Sequence, residues 1–153
     1  MAKLTLTDIT DLRAYERERA DFRAGIIALK KKRRVHLGPI LTLLFENAST
    51  IRFQIQEMAR VEKLISDEAI ETELRIYNPL IPDPGSLAAT MFIELTTDAQ
   101  LREWLPKLVG IERAIELRFG SDDARTVVRC VVDADHEKQL TREEITASVH
   151  YLH

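Results

Sequence analysis

Apolar positions recur along this chain with two different periods, and the points where one period gives way to the other divide it into elements. Leu12, Tyr15, Phe22, Ile26 and Leu29 fall on one stripe of a helix running from Asp11 to Lys32, with Thr7 and Asp8 placed to cap it. Arg19 interrupts that stripe. Val35, Leu37, Leu41, Leu43 and Phe45 then alternate with other residues around Gly38 and Pro39, which predicts a turn and a strand ending near Glu46. Pro39 could instead open a helix reaching residue 66, but Asn47, Ser49 and Thr50 favour a turn and a helix cap. The central helix is then expected from Ser49 to Ile65, with Ile51, Ile55, Met58, Val61 and Ile65 on one side and Gln54 and Glu62 among them. Ser66 and Asp67 cap a shorter helix that reaches Tyr77.

NPLIPDPG at 78–85 holds three prolines in eight residues and reads as a loop. Leu87 to Leu95 alternates as a strand, and Thr96 to Val109 forms a helix with Leu101, Trp104, Leu105 and Leu108 inward and a break at Pro106. Ile111, Ile115, Leu117 and Phe119, a GSDD turn and RTVVRCVVD predict an antiparallel hairpin, with Cys130 sharing the core face of Val128 and Val132. After a polar loop, Ile145, Ala147, Val149 and Tyr151 read as a last strand. The order of elements predicts an α+β fold in one domain spanning residues 1–153, its long N-terminal helix and central helices packed on a largely antiparallel sheet. A strand pattern that runs up to His153 leads us to expect an intact protein that continues further.

With 45% hydrophobic and 31% charged residues, the composition is that of an ordinary folded domain. No apolar run approaches the roughly 18 residues of a membrane span, and no basic segment precedes an apolar block at the N-terminus. A cytoplasmic protein without membrane association is expected. The single cysteine, Cys130, excludes an intrachain disulfide and a cysteine-only metal cluster. The net charge of −3 is unevenly spread: residues 1–36 carry ten Lys and Arg against five Asp and Glu, and residues 37–153 carry twelve against twenty. The basic excess culminates in Lys30, Lys31, Lys32, Arg33 and Arg34, a candidate patch for an anion or an acidic partner surface. Without interleaved aromatic residues it lacks the stacking surfaces that nucleic acid uses. The prevalence of two-fold assemblies adds the expectation of a homodimer.

The chain contains no glycine-rich phosphate loop, GxSxG, HExxH or CxxC. His36, His136, His150 and His153 are dispersed, and the last two would point to opposite faces of one strand. The polar residues inside the helical stripes are more informative. A buried carboxylate is costly unless paired, so Arg19, Gln54, Glu57 and Glu62 form the candidate polar site, with Arg19 expected to reach Glu62 or Gln54. Glu46, Glu57, Glu62, Glu71 and Glu73 gather around the two middle helices as carboxylates do in metal-binding bundles, but the Glu-x-x-His of such sites is missing. No metal, cofactor or catalytic residue is assigned.

KKRRVHLG, TLLFENAST, QIQEMARVE and ELRIYNPLIP followed by LAATMFIEL resemble an uncharacterised bacterial family known only as a domain of unknown function, over residues 7 to 119. The resemblance brings no activity or catalytic residue with it. It implies gene company with rubrerythrin-like proteins and iron–sulfur oxidoreductases, hence a place in redox or peroxide metabolism beside a redox enzyme partner. It also implies relatives longer at the C-terminus. Two readings follow: an accessory protein acting through a binding surface, or a small enzyme or sensor with a carboxylate-lined metal or anion site between the first and central helices.

Overall fold

The computed structural model describes residues 2–132 and 149–153, so His136, Ile145 and Ala147 lie outside the described residues. The elements are α1 (Leu12–Arg33), β1 (Arg34–Leu37), β2 (Leu41–Phe45), α2 (Ala48–Glu62), α3 (Asp67–Tyr77), β3 (Ala89–Ile93), α4 (Asp98–Trp104), β4 (Glu116–Phe119), β5 (Thr126–Arg129) and β6 (Val149–Leu152). Strand order β1-β2-β3-β6 makes a four-stranded antiparallel sheet, and β4 with β5 makes a separate two-stranded one. This is an α+β protein. The chain divides into two compact units, Met1–Arg34 with Leu44–Ala88, and Val35–Leu43 with Ala89–His153.

The first unit is helical, and local chemistry fixes its helix ends. Asp11 rather than Thr7 or Asp8 caps α1, its carboxylate accepting from the Ala14 amide at 3.0 Å. Thr7 and Asp8 belong instead to a preceding 3₁₀ turn, Leu6–Asp8. Asn47 caps α2 by accepting from the Thr50 amide at 3.0 Å, while the Thr50 hydroxyl accepts from the Asn47 amide at 2.9 Å. The central helix ends at Glu62, three residues short of the expected Ile65, where Lys63 takes the left-handed conformation at φ 55°. Ser66 then caps α3 as its position predicts. Asn78–Leu80 forms one 3₁₀ turn, and Leu80 and Ile81 of the proline-rich stretch are buried.

In the second unit β3 and β6 pair in the register Ala89↔Leu152 and Met91↔His150. A core forms around Leu43, Met91 and Leu152, with Leu41, Ile111, Ile115, Cys130 and Val132 packed against it. Cys130 and Val132 thus face the core as the strand pattern predicts, whereas Val128, expected beside them, is 49% exposed; the Cys130 thiol donates to the Glu112 carbonyl at 3.0 Å. The expected strand start at Ile111 is corrected. Gly110 turns the chain at φ 87°, residues Ile111–Arg113 form a 3₁₀ turn, and Ile111 and Ile115 reach the core at helical spacing before β4 begins. Pro106 ends regular helix as predicted, with Leu105–Leu108 continuing only as a 3₁₀ turn.

Candidate functional site

Three side chains meet between α1 and α2. The Arg19 guanidinium donates from Nε to Glu57 Oε1 at 2.8 Å and from Nη2 to Glu57 Oε2 at 2.9 Å. The Tyr15 hydroxyl donates to Glu57 Oε1 at 2.7 Å from a fully buried ring. Both carboxylate oxygens are engaged in a two-point fork, the strong geometry for this pair. The Arg19 hydrogen bonds hold the Glu57 carboxyl down at about 2, against the opposing effect of burial and with further help from Tyr15. Burial, reinforced by the bond to Glu57, pushes the Tyr15 phenol well above its usual range. At neutral pH the group is one fixed charge pair with a neutral donor attached.

The seam continues in both directions. Arg60 pairs with Glu16, and Phe53 packs edge-on against Phe22, ring centroids 5.9 Å apart, with Phe22 in turn 6.2 Å from Tyr15. Lys30 Nζ lies 5.2 Å from the centre of the Phe53 ring. Phe53, Glu57 and Arg60 stand at i, i+4 and i+7, so one face of α2 meets α1 through an aromatic and charged stripe.

That geometry corrects the expected pairing of Arg19 with Glu62 or Gln54. Glu62 is the last residue of α2 and is exposed. Its charge is felt on α3, where burial first and then Glu62 raise the Glu73 carboxyl. Gln54 likewise serves α3 by hydrogen-bonding Tyr77, whose phenol is raised mainly by burial. Of the candidate polar residues, the structure brings together Arg19 and Glu57 and directs Gln54 and Glu62 elsewhere. The expected apolar positions Val61 and Ile65 are 68% and 87% exposed.

The basic run also divides. Arg33 donates to the Phe45 carbonyl at 2.7 Å and the Glu46 carbonyl at 3.0 Å, so it closes the end of β2. Lys30 is half-buried, and desolvation lowers its ammonium. Lys31, Lys32 and Arg34 are exposed and remain the outward part of the patch.

Two amide side chains carry roles that periodicity does not show. Gln56, fully buried, accepts from the Thr10 amide at 2.7 Å and donates to the Thr10 carbonyl at 3.1 Å. Asn78 treats Leu4 in the same way, at 2.8 and 2.9 Å. Each imitates a strand partner for one residue of the N-terminal segment, and Arg52 adds a bond to the Asp8 carbonyl at 2.7 Å. This strap forms one wall of a 360 Å³ cleft whose apolar lining includes Leu6, Ile9, Leu12, Leu64, Ile65 and Ile70, with Asp11 and Asp67 also lining it. The nearest sequence signal is the placement of Gln56 and Asn78 within QIQEM and YNPLIP.

In the second unit Glu112 is only 1% exposed, and its Oε2 has no hydrogen-bond partner among the described residues. No group of three or more His, Cys, Asp or Glu residues able to hold a metal occurs among the described residues. Nor is any helix among them long and apolar enough to cross a membrane.

An α+β protein with a saturated Tyr–Arg–Glu network and a strap-bounded apolar cleft is the class these features define. The chain belongs to the family of proteins of unknown function DUF3501, whose model matches residues 3–153, beyond the 7–119 that carry the motif resemblance. It is similar to a crystal structure described as a novel protein of unknown function from Burkholderia pseudomallei K96243, at 41% identity over 99% of this chain and 76% of that chain, with a TM-score of 0.85. No curated protein matches.

Proposed function

We propose that this chain is a cytoplasmic accessory protein of a bacterial redox or peroxide-metabolising system, acting through a binding surface and without chemistry of its own. The observation that carries the reading is a contrast within the first unit. Its best polar constellation is satisfied internally, whereas apolar surface is left uncovered at the 360 Å³ cleft, where the lining residue Ile65 is 87% exposed. Isolated exposed apolar residues are ordinary, but an aliphatic side chain at the mouth of an apolar cleft suits a protein partner. The redox assignment rests on the motif resemblance and its implied gene company. Its test is capture of partners by tagged protein, comparing wild type with Ile65→Glu. A redox enzyme retained by wild type and lost with the variant supports the reading. Retention of the same enzyme by both variants contradicts the cleft as the surface.

The alternative, a metal or anion site between α1 and α2, draws on Arg19 and Glu57 being about a quarter exposed at their side chains, 28% and 24%. A ligand there would have to displace the existing fork. Metal analysis of protein purified without chelator or affinity tag tests it, and stoichiometric iron, manganese or zinc lost in Glu57→Ala would favour it over the accessory reading.

A further inference from the structure

The two edges of the four-stranded sheet end differently. At the C-terminal end of β6 the outer edge is closed by the chain itself: the Val131 amide donates to the His153 carbonyl at 2.7 Å, the His153 amide donates to the Val131 carbonyl at 2.8 Å, and Val132 bridges to Leu152. At the other end of the strand order β1 is left open, and among the described residues no backbone hydrogen bond from outside the sheet reaches it. All four of its residues are exposed, whereas β2, β3 and β6 each bury at least two. An open strand edge is a template for another strand. The two faces of β1 also differ in kind. His36 Nδ1 lies 3.1 Å from Thr42 Oγ1, so Arg34 and His36 share a face with Thr42. Val35 and Leu37 look the other way, on the side of Leu41 and Leu43, and are 44% and 37% exposed.

We propose that β1 takes an added strand from a protein partner, an extended segment with aliphatic residues at alternate positions and Asp or Glu between them. An added strand meets both faces of its neighbour, so both kinds of side chain on β1 act on it. On one face Val35 and Leu37 offer aliphatic neighbours at the strand spacing of about 5 Å. On the other Arg34 offers a guanidinium within the strand itself. Lys31 and Lys32 precede Arg34 by three and two residues, and covalent geometry alone keeps their Cα atoms within about 11 Å of it. Arg19, Arg52 and Arg60 each have a carboxylate partner, but among the described residues Lys31, Lys32 and Arg34 have none. Their charge is open to an acidic segment. The same charge decides against β1 of a second copy as the occupant. Pairing β1 with itself would set two basic runs within about 13 Å of each other, the length of four strand residues, with no carboxylate on either strand. Nucleic acid stands second, because the run has no interleaved aromatic residues and a strand edge suits a peptide backbone. None of Arg34–Leu37 lines the cleft, so this surface does not depend on the cleft reading.

The test is titration of the full chain with a blocked peptide of alternating Glu and Val, read by anisotropy of the labelled peptide and by hydrogen exchange of the protein. Saturable binding is expected, weaker at high salt, with slowed exchange at amides within 34–37. Arg34→Glu changes an exposed side chain and should fold. It should weaken the peptide at least about threefold at low salt and favour instead a peptide of alternating Lys and Val. A depsipeptide of the first sequence, with oxygen in place of each backbone N–H, separates strand addition from charge attraction. It keeps every side chain but can donate nothing to the edge, and should bind at least about tenfold more weakly than the peptide. Absence of binding, or equal binding by peptide and depsipeptide, overturns the proposal. So does a single-stranded oligonucleotide that protects 34–37 better than the peptide.

Discussion

Arg19 holds Glu57, not Glu62, and does so through two parallel hydrogen bonds of 2.8 and 2.9 Å. With its folded-state carboxyl at about 2, Glu57 releases its proton far more readily than an unfolded glutamate near ~4.3. Between those values the unfolded chain binds more protons than the folded one. The stability contributed here is therefore full above the unfolded pKa and lost as pH falls through the folded one. Urea midpoints measured from about pH 5 down to about pH 2 should fall more steeply for wild type than for Glu57→Gln. Parallel profiles would show that the fork does not couple folding to protonation.

Tyr15 supplies the third bond from a ring with no exposed surface. Tyr15→Phe keeps the packing and removes one hydrogen bond, so it should cost about 1 kcal/mol. Tyr15→Ala also opens a cavity beside Phe22 and should cost about 3 to 5 kcal/mol. Chemical denaturation of the two variants measures the difference, and equal losses would mean that the hydroxyl, not the ring, dominates.

The α1 stripe was legible in the sequence because its members are mostly apolar, and Arg19 stood out inside it. The matching face of α2 was not. Phe53, Glu57 and Arg60 have the right spacing, but a search for apolar periodicity passes over a stripe made of one ring and two charges. It selects Ile51 and Ile55, which are indeed buried, and then extends them to Val61 and Ile65, which are not. The reason is local: Lys63 ends the helix in a left-handed turn, so the periodicity no longer governs Ile65. Strands were read well where alternation was clean, as around Met91, and misread at Ile111, where two core residues at helical spacing look like strand positions. The Gln56 and Asn78 clamps bond to backbone, and side-chain pattern carries no trace of such contacts.

Those clamps predict a selective opening. Gln56→Ala frees the Thr10 amide and carbonyl, and Asn78→Ala frees those of Leu4. Each should cost about 1 to 3 kcal/mol where the freed groups stay buried, and less where water reaches them. Hydrogen exchange should accelerate at Thr10 in the first variant and at Leu4 in the second, with the amides of α3 little changed. A uniform acceleration across the first unit would mean global destabilisation, not release of the strap.

The basic run supports the last prediction because one segment holds two kinds of cation. Arg33 donates to two backbone carbonyls, those of Phe45 and Glu46, and Glu46 is buried. Removing the Arg33 side chain deletes both bonds, so Arg33→Ala should lower stability by roughly 1.5 to 3 kcal/mol, the range for hydrogen bonds to a charged group. Lys31 and Lys32 are exposed, and surface changes of this kind usually stay within about 0.5 kcal/mol. Their contribution is to the long-range field, which ions screen. Lys31→Glu with Lys32→Glu should therefore leave the urea midpoint nearly unchanged while lowering the salt concentration that elutes the protein from immobilised heparin. Arg33→Ala should do the reverse, with a reduced midpoint and a smaller change in elution. If the two sets of variants shift both measurements together, the division between a structural cation and an outward patch is wrong.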